Sequence, residues 1–422
     1  MSFETISVIG LGYIGLPTAA MFASRKKKVI GVDVNQYAVD TINQGKIHIV
    51  EPELDSLVQA AVTEGYLKAV TVPEPADAFL IAVPTPFKPC AEGDVPEPDL
   101  SYIESACKAI APVLKKGNLV ILESTSPVGA TEQVALWLAE ARADLSFPQN
   151  ADENTDVNVA HCPERVLPGH VVRELVENDR VIGGMSEQCS QRSVELYKTF
   201  VQGDCVITNA RTAEMAKLTE NSCRDVQIAF ANELSIICDK LDINVWELIA
   251  LANRHPRINI LQPGPGVGGH CIAVDPWFIV SKTPDQAKLI HTARLVNDSK
   301  PEWVINKVKL ALADFLQENL TKTAKDVTIA CYGLAFKADI DDLRESPALR
   351  ITKQIAAMHA GRIQAVEPNI DSLPNSVTNV ELVTMATALS SADIHVMLVD
   401  HAQFKSEKIV QGLIVDAKGI WV

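Results

Sequence analysis

The sequence is short of positive charge, and this shortage limits the partners that it can have. Only 38 lysines and arginines stand against 53 aspartates and glutamates, so the formal net charge is −15. Such an excess of negative charge argues against nucleic acid or an anionic membrane surface as a general partner. A small anionic ligand remains compatible with it, provided that a local cluster of cations and helix N-termini binds that ligand.

Paired cysteine motifs and long apolar runs are also absent. The nine cysteines are an odd number and include no C-x-x-C pair, which indicates reduced thiols that are mostly small core residues. No uninterrupted apolar run reaches about 18 residues, so no membrane span is predicted. The apolar stretch 6–23 lacks the basic flank of a signal peptide, carries Glu4 instead, and is interrupted by glycines and a proline. We therefore expect a cytoplasmic protein.

What the chain does contain is a regular alternation of short β-branched runs and helical patterns. In the first part the predicted strands are Thr5–Ile9, Val29–Val32, Ala78–Val83, Leu119–Glu123, Val157–His161 and Arg180–Gly183. Helical periodicity then takes over from residue 210 to about 251 and again over 287–310. Strands return in the last part, at Val327–Tyr332, Arg362–Val366, Ile394–Val399 and Leu413–Asp416. This order predicts an α/β fold, with parallel sheets at both ends of the chain and a helical middle.

A glycine-rich turn follows the first predicted strand and opens a helical pattern. The run SVIGLGYIG contains G-x-G-x-x-G, a pattern that lets the backbone approach a pyrophosphate at a helix N-terminus. Asp33 ends the second strand, 23 residues after Gly10, near the spacing of the acid that binds an adenosine ribose. A carboxylate there repels a 2′-phosphate, so we predict NAD rather than NADP. The alternative is a tight turn with an incidental aspartate. The cofactor contacts expected in this region are Gly10, Gly12, Tyr13, Ile14, Gly15 and Asp33.

The ends of later strands are expected to line the same crevice. They supply Thr85 from VPTPF, and Thr125 and Thr131 from ESTSPVGAT. Thr125 could instead be only a strand-end residue, and Thr131 could be a helix N-cap.

Cys271 is the one cysteine that stands apart from the others. It follows GPGVGGH, a loop that exposes backbone N–H groups and allows close approach of a ligand. A thiol in such a loop is poorly placed for core packing, which favours a nucleophile over a structural cysteine. A polar stripe on the preceding long helix, formed by Lys217, Asn221 and Arg224, is either part of the same site or a solvated face.

Further charged and titratable residues stand at strand ends and in loops. HCPERVLPG supplies Glu164 and Arg165, HPRIN supplies His255 and Arg257, and GLAFKADIDDLRESPA supplies Lys337 and Arg344. Each could be a surface charge by itself. Their placement together suggests the binding of a polyanionic ligand. No metal site is predicted.

Six sequence blocks resemble a known family. GLGYIG, ESTSPVG, CPER, AKLTEN, GPGVGGHC and FKADIDDLRES, in this order, are typical of the UDP-sugar dehydrogenases, and the resemblance spans residues 3 to 416. GGHC followed by VDP, together with PERVLPG, is most similar to the branch that oxidises UDP-N-acetyl-D-mannosamine for bacterial surface polysaccharides such as enterobacterial common antigen. In one departure, Ala273 replaces the proline of the broader pattern G-G-x-C-x-P-x-D, which puts the stiffness of that loop in doubt.

The resemblance implies two Rossmann-like, doubly wound domains joined by a central helical domain. These would be an NAD-binding domain over 1–209, a helical dimerisation domain over 210–315 and a UDP-binding domain over 316–422. The implied catalytic residues are Cys271 as nucleophile, Lys217 as proton donor and acceptor, Asn221 at the oxyanions, Asp275 and Thr125 at the hydrolytic water, and Glu164 in acid–base steps. The implied substrate contacts are Arg165, Val166, Lys217, Asn221, Arg224, His255, Arg257, Gly268, Phe336 and Lys337. Arg257 would come from the second protomer of a homodimer, and Arg344 would reach back to the cofactor.

The chemistry of the family explains why a cysteine is needed. Oxidation of an alcohol to an acid removes four electrons, and NAD accepts two at a time. A thiolate traps the intermediate aldehyde as a thiohemiacetal, the second oxidation gives a thioester, and water releases the carboxylate. The alternatives are the same chemistry on UDP-glucose or UDP-N-acetylglucosamine, a two-electron β-hydroxyacid dehydrogenase, and a non-catalytic nucleotide-sugar sensor.

Overall fold

A computed structural model of the 422-residue chain describes residues 3–49, 51–91, 93–149, 155–166, 169–269 and 271–421. The chain forms two compact units, Met1–Glu220 and Asn221–Val422, and each is described by itself below. The long helix α8 (Ala210–Lys240) begins in the first unit and continues into the second. Among the described residues, no helix combines the length and the apolar character that crossing a bilayer requires.

The first unit is built on an eight-stranded sheet flanked by helices. Its elements are β1 (Thr5–Ile9), α1 (Gly15–Ser24), β2 (Lys28–Val32), α2 (Gln36–Asn43), α3 (Leu54–Thr63), β3 (Leu67–Val70), β4 (Ala78–Ile81), α4 (Ser101–Ile110), β5 (Asn118–Leu122), α5 (Ala130–Ala141), β6 (Val157–His161), α6 (Val171–Glu177), β7 (Arg180–Gly184), α7 (Glu187–Tyr197) and β8 (Cys205–Asn209). The strand order is β3-β2-β1-β4-β5-β6-β7-β8. The order reverses between β1 and β4, and such a switch point opens a crevice at the carboxyl ends of the strands.

The strands at the centre of this sheet are buried on both faces. Every residue of β4, β5 and β6 is buried, as expected for parallel strands covered by helices on two sides. Neighbouring strands run parallel except β6 and β7, which pair antiparallel through Ala160 and His161. The sheet is therefore parallel, as predicted, except at this one pairing.

The second unit combines helices with a five-stranded parallel sheet. After α8 its elements are α9 (Val245–Ala252), α10 (Asp275–Lys282), α11 (Lys288–Glu318), β9 (Ile329–Tyr332), α12 (Pro347–Met358), β10 (Ile363–Val366), β11 (Glu381–Leu382), α13 (Met385–Ser391), β12 (Ile394–Met397) and β13 (Leu413–Asp416). The strand order is β11-β10-β9-β12-β13, and all four pairings are parallel. The order again reverses at the first strand of the sheet, so this unit has its own crevice beside the end of β9.

Buried polar side chains fasten α8 to α11 in the second unit. Arg294 on α11 is 1% exposed, and its Nη1 donates to Asp225 Oδ1 on α8 at 2.6 Å. Asn297 Nδ2 donates to the same oxygen at 2.8 Å, while Asn232 Nδ2 donates to Asn297 Oδ1 at 2.8 Å. Buried charges need partners of this kind, so the two helices hold a fixed register.

The predicted fold class is confirmed. All ten predicted strands exist, and each end lies within two residues of its predicted position. Three strands were not predicted, namely β3, β8 and β11. The helix expected over about 210–251 is broken at residues 241–244, because Asn244 caps a new helix by accepting from the backbone N–H groups of Trp246 and Glu247.

Candidate active site

The glycine-rich turn after β1 has the geometry of a dinucleotide site. Gly10 has φ +92°, and a Cβ there would lie 2.5 Å from the carbonyl oxygen of Ala82. A Cβ on Gly15 would lie 1.8 Å from the carbonyl oxygen of Gly10. A Cβ on Gly12 would meet no atom within 4 Å. The outer two glycines are thus required by the chain's own backbone, whereas Gly12 faces open space of the kind a pyrophosphate fills.

Asp33 lies beside this turn, directly after β2. Its Oδ2 accepts from the backbone N–H of Leu11 at 2.9 Å, and its Oδ1 accepts from that of Asn35 at 2.9 Å. The side chain is half-buried, so the fixed carboxylate remains open to a ribose hydroxyl. Tyr13 and Ile14, also expected in this site, lie in the same turn and are 40% exposed and half-buried, respectively.

The three threonines of the neighbouring strand ends have different surroundings. The hydroxyl of Thr85 is buried and has no hydrogen-bond partner among the described residues. Because buried polar groups are normally hydrogen-bonded, this hydroxyl is a candidate contact for a bound ligand. Thr125 is half-buried. Thr131 is fully buried, and its N–H and hydroxyl donate to Glu214 Oε1 at 2.8 and 2.6 Å. The N-cap of α5 is Gly129 instead, so the alternative interpretation of Thr131 as an N-cap is wrong.

Glu214, which sequence reasoning missed, connects α8 to the start of α5. Its Oε2 also accepts from the N–H of Gly129 at 2.7 Å, so its carboxylate satisfies donors that the helix N-terminus leaves unpaired. Burial raises the pKa of Glu214, although these hydrogen bonds oppose the rise. Lys217 follows three residues later on α8 and is half-buried. The hydrogen bonds of Glu214 therefore fix the turn of α8 that carries Lys217.

Glu164 belongs to a buried ionic cluster in the first unit. Arg180 donates to Glu164 Oε2 at 2.5 Å and to Glu123 Oε1 at 3.2 Å. The hydroxyl of Tyr197 donates to the same Glu123 oxygen at 2.7 Å, and the guanidinium lies 4.3 Å from the centre of the Tyr197 ring. All four residues are at most 7% exposed. Two carboxylates thus share one guanidinium, and burial raises the pKa of Glu123 to about 7 in spite of Arg180.

Arg165 and Val166 follow Glu164 in the chain. The guanidinium of Arg165 forms an ion pair with Glu220 on α8 at 2.7 Å and donates to the carbonyl oxygen of Asp179 at 3.3 Å. Val166 is half-buried and packs against the core of the first unit. In this structure Arg165 is thus partly neutralised, and an anionic ligand would compete with Glu220 for it.

The second unit places three predicted catalytic residues together. Asn221 Nδ2 donates to Asp275 Oδ2 at 2.5 Å, and Asp275, the first residue of α10, is 2% exposed. The carbonyl oxygen of Cys271 accepts from the N–H groups of Val274 and Asp275 at 3.1 and 2.9 Å. These bonds close the turn at Ala273 without a proline, while the thiol-bearing residue Cys271 is exposed. The loop therefore exposes Cys271, and the backbone of Cys271 is bonded to Asp275, whose carboxylate is paired with Asn221.

The glycines before Cys271 allow a close approach between two loops of this unit. A Cβ on Gly268 would lie 2.5 Å from the carbonyl oxygen of Glu345 and 2.9 Å from the Cβ of Phe336. Gly269 has φ +81°, and its Cβ would lie 3.2 Å from the Phe336 ring. Phe336 thus packs directly against the loop that carries Cys271.

The remaining candidate cations of the second unit are exposed. They are Arg224 on α8, His255 and Arg257 after α9, and Lys337 and Arg344 after β9. Arg344 forms a two-point ion pair with Asp342, with Nε–Oδ1 and Nη2–Oδ2 distances of 2.9 and 2.6 Å.

Comparison with known proteins then decides the family. The three domain profiles of the UDP-glucose/GDP-mannose dehydrogenase family match the chain: the NAD-binding domain over residues 4–201, the central domain over 211–299 and the UDP-binding domain over 330–422. The chain belongs to this family. It is accordingly an NAD-dependent nucleotide-sugar dehydrogenase, and the predicted cofactor is confirmed.

Several members of the family are similar over their full length. The chain is 69% identical to the UDP-N-acetyl-D-mannosamine dehydrogenase of Yersinia pestis over 100% of both chains. It is 62% identical to an NDP-N-acetyl-D-galactosaminuronic acid dehydrogenase of Ralstonia solanacearum, covering 100% of this chain and 97% of the other. Among solved structures, the UDP-D-ManNAc dehydrogenase of Pyrococcus horikoshii superposes with a TM-score of 0.85 at 38% identity, covering 99% and 96% of the two chains.

Proposed function

We propose that the protein oxidises C6 of UDP-N-acetyl-D-mannosamine to a carboxylate and reduces two NAD per sugar. The substrate assignment is supported by the 69% identity to the Yersinia pestis enzyme over the full length of both chains. The reaction type is supported by the exposed Cys271 on a glycine-rich loop, beside the hydrogen-bonded pair of Asn221 and Asp275. A two-electron dehydrogenase has no need of a thiol at this place.

The residues of the chain divide the work in the following way. The glycine turn, Asp33 and Thr85 would hold NAD, which would supply the hydride acceptor for each oxidation at C6. Lys217 takes the hydroxyl proton in the first oxidation, and its charge stabilises the oxyanions and the thiolate together with Asn221. The Cys271 sulfur adds to the aldehyde carbon, so that the aldehyde is never released. Loss of the second hydride then leaves a thioester.

Hydrolysis returns the enzyme to its starting state. Asp275 and Thr125 position the water that attacks the thioester carbon, and Glu164 assists the proton transfers. The C–S bond breaks, the sulfur leaves as the thiolate, and the uronate is released. Basic residues and three neighbouring packing residues would hold the nucleotide part of the substrate. They are Arg165, Arg224, His255, Arg257 and Lys337, with Val166, Gly268 and Phe336.

A homodimer with shared active sites completes this proposal. Large apolar side chains are exposed on the helical middle of the chain, including Phe230 at 52%, Leu251 at 64% and Leu295 at 53%. Such a group of apolar side chains is a candidate interface. Arg257 would then reach the substrate of the neighbouring protomer.

We place the reaction in the cytoplasm, because the nine free thiols fit a reducing compartment. There the UDP-uronate would be the substrate of transferases that build surface polysaccharides such as enterobacterial common antigen.

A substrate panel tests the assignment. NADH absorbance is followed with limiting UDP-N-acetylmannosamine, UDP-N-acetylglucosamine, UDP-N-acetylgalactosamine and UDP-glucose. We expect two NADH per sugar and the highest kcat/KM with UDP-N-acetylmannosamine. One NADH per sugar would show a two-electron enzyme, no NADH a sensor, and a preference for another sugar would overturn the substrate assignment.

The role of Cys271 has its own test. Cys271→Ala is expected to lose the second oxidation. Cys271→Ser replaces a good leaving group with a poor one, so the sugar is expected to accumulate as an ester on the introduced hydroxyl, visible by intact-protein mass spectrometry. Cys90→Ser, which changes another exposed thiol, is the matched control and should keep both oxidations. Two NADH per sugar at a near wild-type rate in Cys271→Ala would contradict the covalent mechanism.

A further inference from the structure

A second carboxylate follows a strand in the place that Asp33 occupies in the first unit. Asp33 comes directly after β2 and accepts from the N–H of Leu11, the residue after Gly10. Glu367 comes directly after β10, and its Oε2 accepts at 2.7 Å from the N–H of Leu334, the residue after Gly333. The two glycines also match, since Gly10 N donates to the carbonyl oxygen of Val32 at 2.8 Å, and Gly333 N donates to that of Val366 at 2.9 Å.

The two carboxylates differ in what covers them. Asp33 is half-buried, whereas Glu367 is only 4% exposed. His401, which is fully buried, lies over Glu367 with its Nε2 at 3.0 Å from the same Oε2. In the second unit the acid is therefore held by an imidazole instead of being open to a ribose.

Hydrogen bonds around His401 fix its tautomer. The N–H of Asp339 donates to His401 Nδ1 at 2.9 Å, so Nδ1 is an acceptor and the proton is on Nε2, which donates to Glu367. The amide of Asn369 also lies 3.1 Å from Nδ1 and 3.1 Å from Glu367 Oε1. Burial raises the pKa of Glu367, but the hydrogen bonds from His401 and from the backbone of Leu334 and Ala335 more than offset it, and the pKa lies below the ordinary value.

These bonds hold both ends of a short loop. Glu367 accepts from the N–H groups of Leu334 and Ala335 at 2.7 and 3.1 Å. At the other end, Asp339 has φ +62°, a conformation that is uncommon outside glycine although aspartate tolerates it better than most residues. His401 binds the Asp339 N–H, and Asp339 Oδ1 accepts from the N–H of Ala402 at 2.8 Å. The loop 334–339 is thus fastened before and after its middle.

The middle of this loop consists of Phe336 and Lys337. Phe336 packs against Gly268 and Gly269, which precede Cys271. Lys337 is exposed next to it. A shift of the loop would move a candidate substrate cation and the packing surface of the thiol-bearing loop together.

We propose that His401 and Glu367 are positioning residues of the nucleotide-sugar site, which fix the loop 334–339 so that Phe336 and Lys337 meet the substrate. The proposal rests on the proposed function insofar as that loop binds the UDP part. Neither residue is required to touch the substrate. Glu367, which follows β10 in the position that corresponds to Asp33, thus holds the loop in place instead of binding a ribose.

The test compares two buried histidines of the second unit, His395 in β12 and His401 in the segment after it. His401→Ala removes the acceptor for Asp339 and the donor to Glu367. We expect the KM for the UDP-sugar and the Kd for UDP to rise about tenfold, the size of roughly one lost buried hydrogen bond, with the KM for NAD unchanged. His401→Gln, whose amide can replace the donor to Glu367, should restore part of the affinity. His395→Ala is the control, because His395 is equally buried but bonds to the hydroxyl of Tyr332 and the carbonyl of Gln411. It should leave both KM values unchanged.

Two measurements keep the outcome decisive. Calorimetric binding of UDP to the full-length variants needs no turnover, so it reports on the loop even if the enzyme acts on another sugar. Glu367→Gln keeps the side-chain shape and serves if His401→Ala does not fold; it should weaken UDP binding in the same way. Wild-type UDP affinity in folded His401→Ala or Glu367→Gln protein would overturn the proposal, as would an equal rise in the KM for NAD.

Discussion

Replacing Arg180 by leucine should destabilise the first unit strongly and in a pH-dependent manner. The guanidinium is the shared partner of Glu123 and Glu164, and none of the three is more than 7% exposed. Removing one partner of a buried ion pair costs about 3–5 kcal/mol, because the remaining charge is left without compensation. For a unit of this size, that corresponds to a fall in Tm of roughly 6–20 °C.

The pH dependence follows from the pKa of Glu123. Burial raises this pKa to about 7 although Arg180 lowers it, whereas an unfolded glutamate has a pKa of about 4.3. Because the folded state binds the proton more tightly, the stability from this group is fully present below the unfolded pKa and is lost as the pH rises through about 7. Without Arg180 the pKa rises further. Arg180→Leu should therefore lose more stability at pH 8 than at pH 6.

Thermal unfolding followed by far-UV circular dichroism at both pH values measures the effect. Arg173→Leu is the matched control, because its ion pair with Glu177 is exposed, with side chains 73% and 53% accessible, and exposed pairs contribute about 0–1 kcal/mol. Adding Glu123→Gln to Arg180→Leu removes one buried charge and should recover part of the loss. A loss below about 1 kcal/mol, or an equal loss at both pH values, would refute this interpretation of the cluster.

Three further predictions concern binding and assembly. Asp33→Ala should raise the KM for NAD on the order of tenfold and narrow the gap to NADP; full NAD preference in the variant would show that Asp33 is not the ribose ligand. Gly12→Ala should fold like the wild type yet bind NAD weakly, whereas Gly15→Ala, whose Cβ would lie 1.8 Å from a carbonyl oxygen, should lose folding; equal Tm values by calorimetry would contradict this. Mixing Arg257→Ala with Cys271→Ala should restore about a quarter of wild-type activity, since half of randomly mixed dimers carry one intact site; no recovery in verified heterodimers would exclude a shared site.

Local signals in the sequence were sufficient for ten of the strands and for the glycine turn. The turn after β1 needs a positive φ at Gly10, and it needs a residue without a Cβ at Gly15, where the backbone comes close to Gly10. Both requirements fall within one short sequence motif, so the sequence alone indicates them. Strands that the pattern missed lack such signals: β8 is an edge strand with three exposed residues and no fully buried one, and β11 has only two residues. The break before α9 did have a signal, because Asn244 and Glu247 have the spacing of a helix start.

Partners distant in sequence could not be predicted in this way. Glu214 binds Thr131 across 83 positions, and Arg180 binds Glu123 across 57. The antiparallel pairing of β7 is likewise a property of the folded sheet. Such contacts depend on how elements pack, and periodicity within one element contains no information about its neighbour.

The carboxylates at strand ends show why position alone does not assign a role. Asp33, Glu123 and Glu367 each stand directly after a strand, at the edge of the sheet where ligands bind in α/β folds. Asp33 alone is half-buried and open to a ligand. Glu123 and Glu367 are 1% and 4% exposed, and each accepts a hydrogen bond from a buried guanidinium or imidazole of the chain itself. Because a buried acid with internal partners would lose them on binding a ligand, burial separates Asp33, the expected cofactor contact, from Glu123 and Glu367.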